Sequence, residues 1–137
     1  MNKAEKKNKG RIRRHGRVRS QISGTAERPR LAVFKSNRYL HVQIIDDVAG
    51  NTLVSGSTRE LESFAKNKNG KTNTTTIPDS KGKRLSKKEG AVWLGGEIAN
   101  RAKKAHISKV VFDRGGFRYI GRITAFADAA RAGGVEF

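Results

Sequence analysis

Charge is concentrated at the front of this chain, and that alone splits it into two unlike parts. Residues 1–30 hold eleven Lys and Arg against two Asp and Glu, a net +9, while the other 107 residues together carry another +9. From Lys3 to Arg19 the run KAEKKNKGRIRRHGRVR combines like-charge repulsion with few apolar side chains, so it cannot bury a core of its own. Residues 1–27 therefore read as a flexible basic arm that orders on meeting a polyanion; a solvated tail that only aids solubility is the plainer alternative. Residues 28–137 are left to form one domain of ordinary size.

Thirty Lys and Arg against twelve Asp and Glu give a net charge of +18. An excess of that size repels itself, and a polyanion neutralises it most readily, so nucleic acid is the expected partner. An anionic membrane is the rival. However, no stretch approaches the roughly 18 apolar residues needed to span a bilayer, and the basic segments lack an apolar face. Hydrophobic residues make up 35% of the chain, which is lean but too many for disorder throughout, so a small core is expected. Without cysteine there is no disulfide framework or thiolate metal site, which suits a reducing cytoplasm. The N-terminus has no apolar stretch of the secretory kind and reads as part of the mature protein.

After Pro29, Arg30 to Lys35 reads as a strand, and a Ser36-Asn37-Arg38 turn leads into a second strand, Tyr39 to Asp46. In that second strand Leu40, Val42 and Ile44 alternate with Tyr39, His41 and Gln43, so one face is core and the other polar. A turn at 47–51 precedes a third strand, Thr52 to Ser57. Residues 66–84, KNKNGKTNTTTIPDSKGKR, have the composition of an insertion loop. Ser86-Lys-Lys-Glu89 has capping-box spacing and opens a helix to about Ala105. Its apolar face is Ala91, Leu94, Ile98, Ala102 and Ala105, and Gly95-Gly96 inside it imply close packing. The apolar run Lys109 to Phe112 suits a strand covered on both faces and is placed centrally. Arg122 to Arg131 forms the last helix, with Ile123, Phe126, Ala127 and Ala130 inward and Gly133-Gly134 as its stop. The expected fold is α/β: a single two-layer domain, a mixed sheet in the order βββαβα, with both helices on one face. The face bearing Tyr39, His41 and Gln43 is left open, and the fourth strand runs parallel to one of the first three.

The segment Asp113 to Arg122, DRGGFRYIGR, mixes arginines, glycines and two aromatic rings. Glycines let backbone amides approach phosphate oxygens, Arg114 and Arg122 offer bidentate forks, and Phe117 and Tyr119 can stack on unpaired bases. Alternatively, the two rings simply pack down on the core.

Enzymatic readings are weaker. Ala65 to Thr72 approaches a phosphate-binding loop but lacks its first glycine, a buried strand before it and a helix after it. A magnesium-dependent nuclease could use Asp46, Asp47 and Asp113. Yet aspartates beside a turn usually bond their own backbone, and His15, His41 and His106 have no metal-ligand spacing. A general RNA chaperone shares the charge but would not discriminate among RNAs.

The stretches RPRLAVFKSNRYLHVQIIDD (Arg28 to Asp47) and VVFDRGGFRYIGRITAFADAARAGGVEF (Val110 to Phe137) closely resemble the large-subunit ribosomal protein eighteen family. So do ISGTAERPRL and the helix ending EIANRAKKA; the likeness covers nearly everything except 66–84. It implies a bacterial-type protein that binds 5S ribosomal RNA and helps attach it to 23S ribosomal RNA in the central protuberance, beside neighbouring large-subunit proteins. It also implies an α/β core behind a basic arm, with no catalytic role, metal, cofactor or small-molecule substrate. Ile120 stands where the family usually has histidine, and the insertion is longer than usual. The expected RNA contacts are Arg11, Arg13, Arg14, His15, Arg17 and Arg19 in the arm, with Arg28 and Arg30 at the first strand. Lys35, Ser36, Asn37, Arg38 and Tyr39 in the turn, His41 and Gln43 on the open face, and Arg114, Gly115, Gly116, Phe117, Tyr119 and Arg122 complete the set.

Overall fold

Period-two alternation after Pro29 builds most of the sheet. In the computed structural model, which describes residues 2–61 and 85–137, β1 (Arg30–Lys35) and β2 (Leu40–Asp46) pair antiparallel. Their turn is closed by Ser36, whose amide donates to the Tyr39 carbonyl at 2.9 Å and whose hydroxyl accepts from the Tyr39 amide at 2.9 Å. β3 (Asn51–Ser57) adds to the far side of β2, with a bulge that shifts the register between Ile44 and Ile45. Leu31, Val33, Leu40, Val42, Ile44 and Val54 are buried on one face. The polar segment 66–84 lies outside the described residues.

The fourth strand corrects one expectation. β4 (Val111–Asp113) is three residues long and pairs parallel to β1 at the edge of the sheet, in the order β3-β2-β1-β4. The parallel pairing is as expected; the central position is not. The apolar run is covered by the chain's own end rather than by a flanking strand. The Val110 amide donates to the Glu136 carbonyl at 3.0 Å, and Phe112 stacks on Phe137 with ring centroids 5.1 Å apart.

α2 (Lys87–Lys104) starts with the capping box that the Ser86–Glu89 spacing predicts, the Ser86 hydroxyl accepting from the Glu89 amide at 3.2 Å. Ala91, Leu94, Ile98 and Ala102 face inward, but Ala105 is the exposed C-cap, one residue past the helical stripe. α3 (Arg122–Ala132) buries Ile123, Phe126, Ala127 and Ala130 and ends at Gly133-Gly134, where Gly134 takes φ +103°. Only one glycine of the Gly95-Gly96 pair explains the close helix contact. A Cβ on Gly95 would sit 2.6 Å from the Phe126 carbonyl oxygen of α3, whereas one on Gly96 would meet nothing within 4 Å.

The expected flexible arm is a helix in the structure. α1 (Lys3–Gln21) has a capping box between Asn2 and Glu5 and buries none of its residues. Lys, Arg, Ala and Glu are good helix formers, so local preference and the cap permit what burial does not enforce. Like-charge repulsion still denies the segment a core, but one side of it rests on the domain.

Candidate nucleic-acid interface

The contact surface of α1 follows from helical spacing. Arg11, Arg14 and His15 lie at i, i+3 and i+4 and reach the end of β4 and the loop that follows it. Arg11 donates to the Gly115 carbonyl at 3.4 Å, Arg14 to the Gly116 carbonyl at 3.1 Å, and His15 Nε2 lies 3.4 Å from Asp113 Oδ2. Gly115 and Gly116 take φ values of +63° and +74° and are buried. A Cβ on Gly116 would come within 2.5 Å of the Arg11 carbonyl oxygen. Gly116 thus admits the α1 backbone, and Gly115 admits the Val33 carbonyl of β1, 2.6 Å from where its Cβ would stand.

Beneath this contact lies Arg30, which is only 8% exposed. Its fork grips Asp47 through Nε at 2.9 Å and Nη2 at 3.0 Å, and its Nη1 reaches Asp113 at 3.0 Å. Asp47 also accepts from the Gly24 amide at 2.8 Å and lies 3.4 Å from Arg19 Nη1. One network thus ties the segment after α1 to β1, the β2–β3 turn and the glycine loop. Arg30, expected to touch RNA, spends its donors inside the protein. Arg28 also reaches inward, donating to the Val110 carbonyl at 3.3 Å. Asp113 is 1% exposed and Asp46 accepts from the Val48 and Ala49 amides of its own turn. Among the described residues no group of three His, Cys, Asp or Glu could hold a metal ion.

The Arg30 fork holds the Asp47 carboxyl far below the usual carboxylate range; burial opposes this, and the Gly24 amide assists it. Stabilisation from a depressed carboxylate is complete above its unfolded pKa, about 4, and is lost as pH falls through the folded value. Thermal midpoints should therefore drop as pH is lowered from 6 to 3. Asp47→Asn should lower the midpoint at neutral pH and flatten that acid limb, leaving a residual slope from Glu60, which Arg101 holds low. An unchanged acid limb in the variant would assign the sensitivity elsewhere.

Other expected contacts stay at the surface. Arg13 and Arg17 are exposed on the outer side of α1, in line with Lys6 and Lys9. Asn37 and Arg38 are exposed at the tip of the β1–β2 turn, where the Asn37 carbonyl accepts from Lys87 at 2.7 Å. Arg122 donates to the Ser36 carbonyl at 2.8 Å, while its buried Nη1 has no hydrogen-bond partner among the described residues. Burial makes the Arg122 guanidinium less basic, and burial followed by repulsion from Arg122 and Lys7 does the same to Lys35. No carboxylate among the described residues pairs with Lys35 or Arg122. Arg114 braces the loop by donating to the Phe117 carbonyl at 2.9 Å.

Both loop rings pack down on the protein. Phe117 meets Phe34 edge-on at 5.8 Å, and Tyr119 meets Phe112 at 6.0 Å while its hydroxyl accepts from Arg131. Tyr119 nevertheless stays 38% exposed, and Phe34 is more open, 49% exposed on the same sheet face as His41 and Gln43. Alternation in β1 already put Ala32 and Phe34 opposite Leu31 and Val33, so this ring was legible from the sequence. Lys7 and Lys87 carried no comparable signal, because only the fold brings them to the turn.

Comparison with known proteins identifies the family. The family model described as ribosomal L18 of archaea, bacteria, mitochondria and chloroplasts matches residues 5–137. The chain belongs to the ribosomal L18 family. As a member it is a ribosomal protein rather than an enzyme. It is 48% identical over 131 residues to large ribosomal subunit protein uL18 of Caldicellulosiruptor saccharolyticus, covering 96% of this chain and 94% of that one. The Thermotoga neapolitana protein of the same name is 47% identical over 137 residues, covering both chains fully. That of Limosilactobacillus reuteri is 49% identical over 131 residues, covering 96% and 95%. In this L18 chain, the basic outer side of α1, the β1–β2 turn and the Phe34, His41 and Gln43 face stay at the surface.

Proposed function

We propose that this chain is a structural constituent of the large ribosomal subunit that binds 5S ribosomal RNA and helps attach it to 23S ribosomal RNA in the central protuberance. In this reading it works in the cytoplasm, inside the ribosome, beside neighbouring large-subunit proteins. The observation that carries the reading is a set of cations without carboxylate partners among the described residues, on α1 and around the β1–β2 turn, bordering an open sheet face. Residues 1–27 act as the RNA-binding arm and residues 28–137 as the shape-reading domain. Phosphate neutralisation supplies the strength, so affinity falls steeply with salt. The narrow major groove of A-form RNA excludes side chains, so selectivity comes from folded shape and from unpaired bases.

The deciding experiment is binding of the purified chain to 5S ribosomal RNA at near-physiological salt against a large excess of transfer RNA. Retained tight binding is expected. Loss of binding under competition would favour the RNA-chaperone reading, in which charge alone drives association.

A further inference from the structure

We infer that the open sheet face holds one unpaired nucleobase of the bound RNA, in a notch between α1 and strands β1 and β2. The inference rests on the RNA-binding reading and goes beyond it by naming what the notch receives. The notch measures about 140 Å³ and is walled by Arg11 and His15 of α1, with Ala32, Phe34 and Gln43 on the sheet side. That is well below the roughly 300–1,000 Å³ of a drug-sized ligand site and fits one heterocycle.

Three features favour a base over a phosphate. First, Phe34 is 49% exposed, with Arg11 Cζ 5.8 Å from its ring centre, which offers a base an aromatic ring beside a guanidinium to stack on. Second, the exposed Gln43 carboxamide, opposite Ala32 across the β1–β2 pair, makes no hydrogen bond among the described residues. It offers donors and an acceptor to a base edge. Third, the Asp113 carboxylate and the Arg30 guanidinium that line the notch are already paired at 3.0 Å, so Arg30 is not free to draw a phosphate into it. Cations for the phosphate of the same nucleotide stand close by: Arg11 lines the notch, and Lys35 lies 5.6 Å from the centre of the Phe117 ring, which meets Phe34 edge-on. Ala32 leaves room that a larger side chain would fill. A larger hollow beside Leu53 and Arg101 has no aromatic ring in its lining and offers no such stacking.

The test uses the full chain and chemical probing of base reactivity in its complex with 5S ribosomal RNA. Phe34→Leu keeps an apolar side chain but loses the ring, and should weaken binding roughly 5- to 100-fold while re-exposing one base that the unaltered protein protects. Phe34→Tyr should restore both. Circular dichroism should show that both variants fold. If Phe34→Leu binds 5S RNA as tightly as the parent, with the same base protections and continued resistance to transfer RNA, the notch inference fails and the 5S reading stands. If the parent does not prefer 5S RNA, the 5S reading fails, and the notch is judged on short single-stranded RNA against duplex RNA. A loss confined to the single strand in Phe34→Leu would uphold the notch, and equal binding to both would overturn it.

Discussion

Gly95→Ala is expected to destabilise the fold by about 3 kcal/mol, within the usual range for overpacking a well-filled core. Gly96→Ala, one residue along, should stabilise it by about 0.5–1 kcal/mol. The added Cβ at Gly95 falls 2.6 Å from both the Ala129 Cβ and the Phe126 carbonyl oxygen, and 3.0 Å from the Ala130 amide nitrogen. Two of these atoms are α3 backbone, so no rotamer change relieves the clash; the helices must separate. Their separation would open the core, where Leu94, Ile98, Phe126 and Ala130 are 0% exposed. At Gly96 there is free space, and alanine only restricts the unfolded chain and favours the helix. Urea unfolding of the two variants checks the contrast. Equal effects would mean that α2 and α3 are less closely packed than this geometry requires.

Replacing Lys6, Lys9, Arg13 and Arg17 together by alanine should cut RNA affinity by about two to three orders of magnitude at 0.15 M salt. It should also reduce the salt slope by about 3. Both figures follow from roughly 0.7–0.9 log units per phosphate contact per tenfold change in salt. The four side chains form the outer stripe of α1 and make no ion pair among the described residues. Alanine is the best helix former, so α1 should persist and the melting temperature should hold. The docked side of α1, with Arg11, Arg14 and His15, is untouched by the change. Binding titrations across a salt series give both quantities at once. A weakened affinity with an unaltered slope would mean that these cations meet no phosphate.

The sequence by itself determined the elements that depend on near neighbours. The hairpin of β1 and β2 is written in two-residue alternation, α2 in its capping box and stripe, and α3 in its i, i+3, i+4, i+7 spacing and its glycine stop. It also determined a net charge of +18, which favours a polyanionic partner. Tertiary structure alone decided how shared residue types are used. Arginine serves equally as a phosphate ligand and an ion-pair partner. Only the meeting of Asp47 and Asp113 around Arg30 turned that residue inward while leaving Arg13 and Arg17 outside. Glycine likewise allows close approach without naming what approaches, and at Gly116 it is the α1 backbone at Arg11 and His15, from the other end of the chain. The edge position of β4 has the same origin, since an apolar run reports that it is covered but not by what, and here the cover includes the chain's own terminal residues. Periodicity reports local geometry. The partners of a charge, a glycine or an apolar strand are fixed by contacts between residues far apart in sequence, and no local pattern encodes them.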